Sequence, residues 1–161
     1  MNFRKATPSD IPMIEEIYSQ ARAYMRENGN LNQWVNGYPD RAIIQQDIAG
    51  GNCHICEENG EYLGVFSLFQ GPDPTYFKIF DGSWRNDKPY VVIHRIAVTA
   101  HRKGVASRCF DFALEQCPNL RIDTHLDNIP MQRSLEKNGF IRCGIIYLAN
   151  GDPRIAYHKV K

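Results

Sequence analysis

The residues from Val91 to Ser107 carry the clearest chemistry in this sequence. They read Val91-Val-Ile-His-Arg-Ile-Ala-Val98, then Thr99-Ala-His-Arg-Lys-Gly-Val-Ala-Ser107. The β-branched run Val91 to Val98 predicts a central strand. A helix is predicted from about Val105 to Gln116, with Val105, Cys109, Phe112 and Ala113 on one face. The loop between them opens directly into that helix. The first N–H groups of a helix have no partner inside it. They sit at the positive end of the macrodipole and converge on a phosphate. Gly104 lets a diphosphate come close to the backbone, because no Cβ intervenes. Arg102 and Lys103 add positive charge at the same place. The sequence lacks Gly-x-x-x-x-Gly-Lys-Ser/Thr and Gly-x-Gly-x-x-Gly, so neither a kinase-type phosphate loop nor a dinucleotide fingerprint is present.

His101-Arg-Lys-Gly104-Val-Ala106 resembles the Gln/Arg-x-x-Gly-x-Gly/Ala loop of the GNAT superfamily of N-acetyltransferases. A second run, Asn128-Ile-Pro-Met131-Gln-Arg-Ser-Leu135-Glu-Lys137-Asn-Gly139-Phe140, is similar to that family's later motif, in which a helix ends in Lys-x-Gly-Phe. The resemblance implies acetyl-CoA as co-substrate and no metal. It places the coenzyme against Ile96, Ala97 and Val98, against His101, Arg102, Lys103, Gly104, Val105, Ala106 and Ser107, and against Asn128, Met131, Leu135 and Lys137. It also implies that the backbone N–H of Val98 meets the developing oxyanion, where two central strands splay apart. Two positions depart from the family pattern. His101 stands where Gln or Arg is usual, and Leu135 stands where many members place the Tyr that protonates the departing thiolate.

An amine must lose a proton before it attacks a thioester, since alkyl ammonium groups have a pKa near ~10. Imidazole suits that task at neutral pH. Strand alternation puts His94 on the face of Ile96 and Val98, which makes it the first candidate base. His125 is the second, sharing a face with Asp123 on a strand predicted from Leu120 to Leu126. Tyr157, with Tyr147, is the candidate acid on a final hairpin. The resemblance places the acceptor among Trp34, Tyr38, Arg154 and Trp84. The resulting expectation is an N-acetyltransferase acting on a primary amine. The alternative is a non-catalytic acyl-CoA-binding module, motivated by Leu135.

The elements that must position these groups follow from pattern. Phe3 to Ala6 predicts a strand. Thr7-Pro-Ser-Asp10 starts a helix carrying Ile14, Ile17, Tyr18, Ala21, Tyr24 and Met25 at helical spacing. Asp40 caps a second helix, Arg41 to Ala49. Asn59-Gly60 joins two strands, Asn52 to Glu57 and Tyr62 to Gln70. Gly71-Pro-Asp-Pro74 breaks the chain, and Thr75 to Phe80 is a further candidate strand. Ile129 to Asn138 is a helix, and Phe140 to Leu148 pairs with Arg154 to Val160. The expected class is α/β (α+β): a mixed, mostly antiparallel central sheet with splayed central strands, flanked by about four helices, as one domain over residues 1–161.

Composition bounds the rest. Apolar residues make up 43% and charged residues 23% of 161, with a net charge of +1. That balance points away from nucleic acid or an anionic membrane as partner. No apolar run of about 18 residues occurs, and no apolar stretch follows Met1-Asn-Phe-Arg-Lys-Ala6, so the expected compartment is the cytoplasm. The expected partners are a small-molecule or peptide amine and, by resemblance, a second copy in a homodimer. Cys53-His-Ile-Cys56 has Cys-x-x-Cys spacing, yet in a strand its two thiols point to opposite faces, so a shared metal is not expected.

Overall fold

A computed structural model describes residues 1–99 and 104–161. In chain order the elements are β1 (Asn2–Lys5), α1 (Ile11–Glu27), α2 (Arg41–Ala49), β2 (Cys53–Glu58), β3 (Glu61–Gln70), β4 (Val91–Val98), α3 (Val105–Gln116), β5 (Asn119–Thr124), α4 (Ile129–Lys137), β6 (Ile141–Tyr147) and β7 (Pro153–Val160). Among the described residues they form a 7-stranded sheet in the order β1-β2-β3-β4-β5-β7-β6. Every neighbouring pair is antiparallel except β4 and β5, which run parallel.

The helices form where the sequence supplies start signals and an apolar stripe. Before α1, Thr7 N donates to Asp10 Oδ2 at 2.8 Å, and Arg4 clamps the same carboxylate at 2.8 and 2.9 Å. Asp40 accepts from Ile43 N at 3.0 Å and so caps α2. Ile14, Ile17 and Tyr18 of α1 and Ile44 of α2 pack on one sheet face with Cys53, Ile55, Val65 and Ala97. Cys109, Phe110 and Ala113 of α3 and Leu135 of α4 cover the other face with Cys56, Leu63, Phe66, Ile93 and Ile122. Burying each large apolar side chain contributes roughly 1.5–3 kcal/mol, which fixes the helices to the sheet. Cys53 and Cys56 fall in different clusters, as alternation requires.

Residues 71–90 differ from the strand expected at Thr75 to Phe80. They make a short 3-10 turn at Pro74–Tyr76 and a single bridge, Phe80 to Ile145. Tyr76 and Tyr90 pack on Val92, Ile146 and Ala156. The approach is close enough that a Cβ on Gly82 would stand 1.8 Å from the Cys143 carbonyl oxygen. No described helix is long and apolar enough to cross a membrane.

Candidate active site

The site begins where the sheet opens. β4 and β5 pair only at Val91–Leu120 and Val92–Arg121. Beyond Val92 the strands part. On its other edge β4 stays paired to β3 with a bulge, since Val65 meets Ala97 but Ser67 meets His94. Three residues of β4 thus span two of β3, and the extra one is Arg95, in the left-handed region at φ 54°. That conformation is unfavourable for a residue with a side chain, and four hydrogen bonds from three residues hold it. Tyr18 donates to its carbonyl at 3.2 Å, Asp47 receives its guanidinium twice at 2.8 Å, and its Nη1 donates to the Tyr38 hydroxyl at 3.0 Å.

The bulge changes which way the strand's side chains point. Ile93 and Ile96 both pack on the α3 side, whereas Ala97 joins the α1 side. His94 lies instead beside Phe69 and Tyr76, with ring centroids 5.7 and 6.3 Å apart. The expected common face of His94, Ile96 and Val98 is therefore corrected: the inserted residue breaks the alternation between them. Thr99 N donates to Leu63 O on β3 at 2.9 Å. Successive strand N–H groups point to opposite edges, so the Val98 N–H is directed into the opening.

Two cavities meet at this opening and share Met25, Ile96, Asn128 and Met131. The smaller, of about 480 Å³, lies between α1, the end of β4 and the starts of α3 and α4. Its walls include Ala21, Tyr24, Ile96, Ala97, Val98, Ala106 and Ser134. Gly104 precedes α3 in the left-handed region at φ 86°, and Arg108 N makes the first helical bond back to its carbonyl at 3.1 Å. The amides of residues 105–107 stand ahead of that bond, where a helix has donors without an intrahelical partner. No described atom lies within 4 Å of a Cβ built on Gly104. Its backbone angle, rather than crowding by the protein, is what calls for glycine.

The larger cavity, of about 560 Å³, lies on the far side of the opening. Trp34 and Tyr38 line it, with ring centroids 6.4 Å apart. Asp73, Asp123, Asp152, His94, Arg95 and Arg154 supply its charges. Asp73 Oδ2 lies 2.8 Å from His94 Nε2, while Asp73 Oδ1 accepts from the Thr75 amide and hydroxyl at 2.9 and 2.7 Å. Burial pushes the Asp73 carboxyl up, but the His94 ring and Thr75 outweigh it and hold it at about 2. An ionised carboxylate only accepts. In this pair Nε2 therefore carries the hydrogen, and Nδ1 is the basic atom of the neutral ring. Asp123 accepts from the Tyr76 hydroxyl at 2.7 Å. Asn128 caps α4 by accepting from Met131 N at 3.2 Å and donates to Gln33 at 2.9 Å, which ties the loop after α1 to the opening.

An opened parallel pair, a helix start facing one cavity and a supported imidazole facing the other invite comparison with known proteins. The chain matches the model of the acetyltransferase (GNAT) family over residues 14–140. The chain belongs to the GNAT acetyltransferase family. It is similar over 99% of its length to a GNAT-family acetyltransferase from Streptococcus agalactiae, covering 95% of that chain at 33% identity with a TM-score of 0.91. A GNAT-family acetyltransferase from Bacillus cereus is 26% identical, with 99% and 96% of the two chains covered and a TM-score of 0.67. A ribosomal-protein-alanine N-acetyltransferase from Brucella melitensis shares the fold at 19% identity and a TM-score of 0.60, with both chains covered at 100%. No curated protein matches the chain in sequence.

Membership of the GNAT family brings acyl transfer and acetyl-CoA as co-substrate. The residues present fit that molecule: among the described residues no side chain caps the first amides of α3, and the β5-facing edge of β4 past Val92 has no strand to pair with. Of the residues expected to touch it, Ile96, Ala97, Val98, Ala106, Asn128 and Met131 line the smaller cavity. His101, Arg102 and Lys103 lie outside the described residues. Val105 is a core side chain, so its amide is the part available to a ligand. Ser107 and Lys137 line neither cavity. Leu135 is corrected: at 0% exposure it packs in the core, and its neighbour Ser134 reaches the cavity instead.

The expected acid and second base are corrected as well. Tyr157 is wholly buried among core residues behind the sheet, where burial raises its hydroxyl pKa. Tyr147 is exposed and packs edge-on against Phe80. β5 stops at Thr124, so His125 falls in the following loop; its Nδ1 accepts from the Asp127 amide at 3.0 Å. Burial and then Arg154 lower the His125 pKa, and its ring lines neither cavity. Asp123 partners Tyr76 rather than His125. Trp34, Tyr38 and Arg154 do line the larger cavity, whereas Trp84 covers Arg121, with its ring centroid 4.3 Å from the guanidinium carbon. Sequence reasoning passed over Asp73, Arg95 and Gln33. Asp73 read only as part of a chain-breaking Gly-Pro-Asp-Pro.

Proposed function

We propose that this GNAT protein is an N-acetyltransferase that moves the acetyl group of acetyl-CoA to a primary amine, by direct attack of the amine on the thioester. The observation that carries the reading is the His94–Asp73 pair at the opening between β4 and β5. The smaller cavity takes the pantetheine arm along the free β4 edge, and the amides before Arg108 take the diphosphate. The larger cavity takes the amine. His94 removes its proton through Nδ1, and the ionised Asp73 stabilises the imidazolium that results. The Val98 N–H donates to the thioester oxygen as negative charge gathers there. With Leu135 in the core, no described tyrosine is assigned to the thiolate, which leaves without that acid.

The test is release of free thiol from acetyl-CoA, followed with a panel of amines. We expect amine-dependent release, and a fall in kcat of about 10²-fold or more in His94→Ala at saturating acetyl-CoA. An unchanged kcat removes His94 from the mechanism. Thiol release that no amine accelerates overturns the amine acceptor.

A further inference from the structure

Arg154 is 8% exposed and lines the larger cavity, yet it forms no ion pair with a described carboxylate. Among the described residues its side chain makes one hydrogen bond, from Nη1 to the adjacent Pro153 carbonyl at 2.8 Å. A buried guanidinium without a counter-ion is costly. The carboxylates lining the same cavity do not serve it. Asp73 is occupied by His94 and Thr75, Asp123 by Tyr76, and Asp152 by the Asn150 side-chain amide at 3.2 Å. Arg154 keeps most of its donors for something that enters from the cavity.

The position of Arg154 says how that partner lies. Val92 of β4 and Ala156 of β7 pack in one cluster on one sheet face. His94 and Arg154 stand two residues from them along their strands, before the β4 bulge intervenes, and so share that face across the opened sheet. Resting on the reading of an amine acceptor, we propose that the acceptor carries a carboxylate as well as its amine, an amino-acid-class molecule whose carboxylate is bound by Arg154 while its amine faces His94. A planar guanidinium binds a carboxylate through two parallel N–H donors. A single negative charge suits the cavity better than a phosphate dianion, because Asp73, Asp123 and Asp152 already line it. Those carboxylates favour the ammonium end as it arrives.

The experiment compares acceptors that differ only by the carboxylate: L-phenylalanine with phenethylamine, and L-lysine with cadaverine. Thiol release is measured at saturating acetyl-CoA. Wild-type protein should show kcat/KM at least about tenfold higher for the carboxylate-bearing member of a pair, the size expected of a charge-assisted pair of hydrogen bonds. Arg154→Met should bring that ratio close to one, and Arg154→Lys should keep part of it. Acetyl-CoA affinity by calorimetry reports whether each variant is folded. If Arg154→Met does not fold, the wild-type ratios and Arg154→Lys decide. A wild-type ratio near one or below it in both pairs, with release still amine-dependent, overturns the carboxylate and leaves the amine acceptor standing. A preference that survives in folded Arg154→Met overturns the role of Arg154. Release that no amine accelerates overturns both readings.

Discussion

The two cavities that meet at the opened sheet are built from different materials. The smaller one is lined by the end of β4 and the start of α3, with Ala21, Ala97 and Ala106, and by Tyr24, Met25, Glu27 and Met131 of α1 and α4. The larger one adds to an aliphatic lining a set of charged and aromatic side chains (Trp34, Tyr38, Asp73, His94, Arg95, Asp123, Asp152 and Arg154) drawn from the loop after α1, residues 71–90, β4, β5, β7 and the turn before it. Asp123, Asp73, His94 and the Arg95 guanidinium are oriented by one another and by hydroxyls. Backbone donors at a helix start suit any diphosphate, so in the proposed reading the smaller cavity takes a part of the co-substrate that never changes. Side-chain networks are specific to one arrangement, so in the proposed reading the larger cavity is where an individual acceptor is chosen.

That contrast can be broken at three points. The largest effect is expected at Asp73→Asn. The amide no longer fixes the His94 ring with Nε2 protonated, and kcat should fall by about 10²-fold. Acetyl-CoA affinity, measured by calorimetry, should stay within about twofold, with Asp73→Glu recovering part of the rate. A comparable loss of coenzyme affinity would show that the two cavities are not separable.

The next effect is on stability. His158 accepts from the Arg85 amide at 3.1 Å and lies 3.0 Å from Asn119 Oδ1, so it anchors the residue 71–90 segment to β7 as a neutral ring. Burial, reinforced by Arg121 and Arg85, lowers its pKa to about 4. The unfolded chain therefore takes up this proton first, near pH ~6.5, and stability falls as pH drops from there towards about 4. Unfolding free energies from urea titrations at pH ~7 and ~5 should differ by on the order of 2 kcal/mol less in His158→Gln than in wild type. His54 and His125, also lowered by burial, supply what slope remains. Equal slopes in the two proteins would show that His158 does not titrate on unfolding.

The smallest effect belongs to the coenzyme side. At φ 86°, Gly104→Val places a β-branched residue in the left-handed region, at roughly 1–2 kcal/mol. Acetyl-CoA Kd should rise about tenfold, with acceptor KM little changed. A normal Kd would mean that the start of α3 does not hold the coenzyme.

Much of the fold was legible because its signals are local. Asp40 announces α2, Asn59-Gly60 announces the β2–β3 turn, and the two faces of β2 follow from alternation through Cys53 and Cys56. The helix start at Gly104 was legible for the same reason, since a glycine followed by an apolar helical stripe reports on a few neighbouring residues. Residues 71–90 were not, because their course is set by contacts with β6 and β7, far along the chain. The bulge at Arg95 was equally hidden. Nothing in Val91 to Val98 marks an inserted residue, and what stabilises it are Tyr18, Tyr38 and Asp47.

The sequence alone determined the helix start after Gly104 and the order of strands and helices, and offered His94 as the candidate base, each read from residue type and near-neighbour spacing. Only the tertiary structure decided that Asp73 supports His94, that Leu135 and Tyr157 belong to the core, and that Arg154 faces a cavity without a counter-ion among the described residues. The physical reason is range. Periodicity and capping act over a few residues, whereas a charged pair such as Asp73 and His94 forms only when the sheet has brought distant segments together.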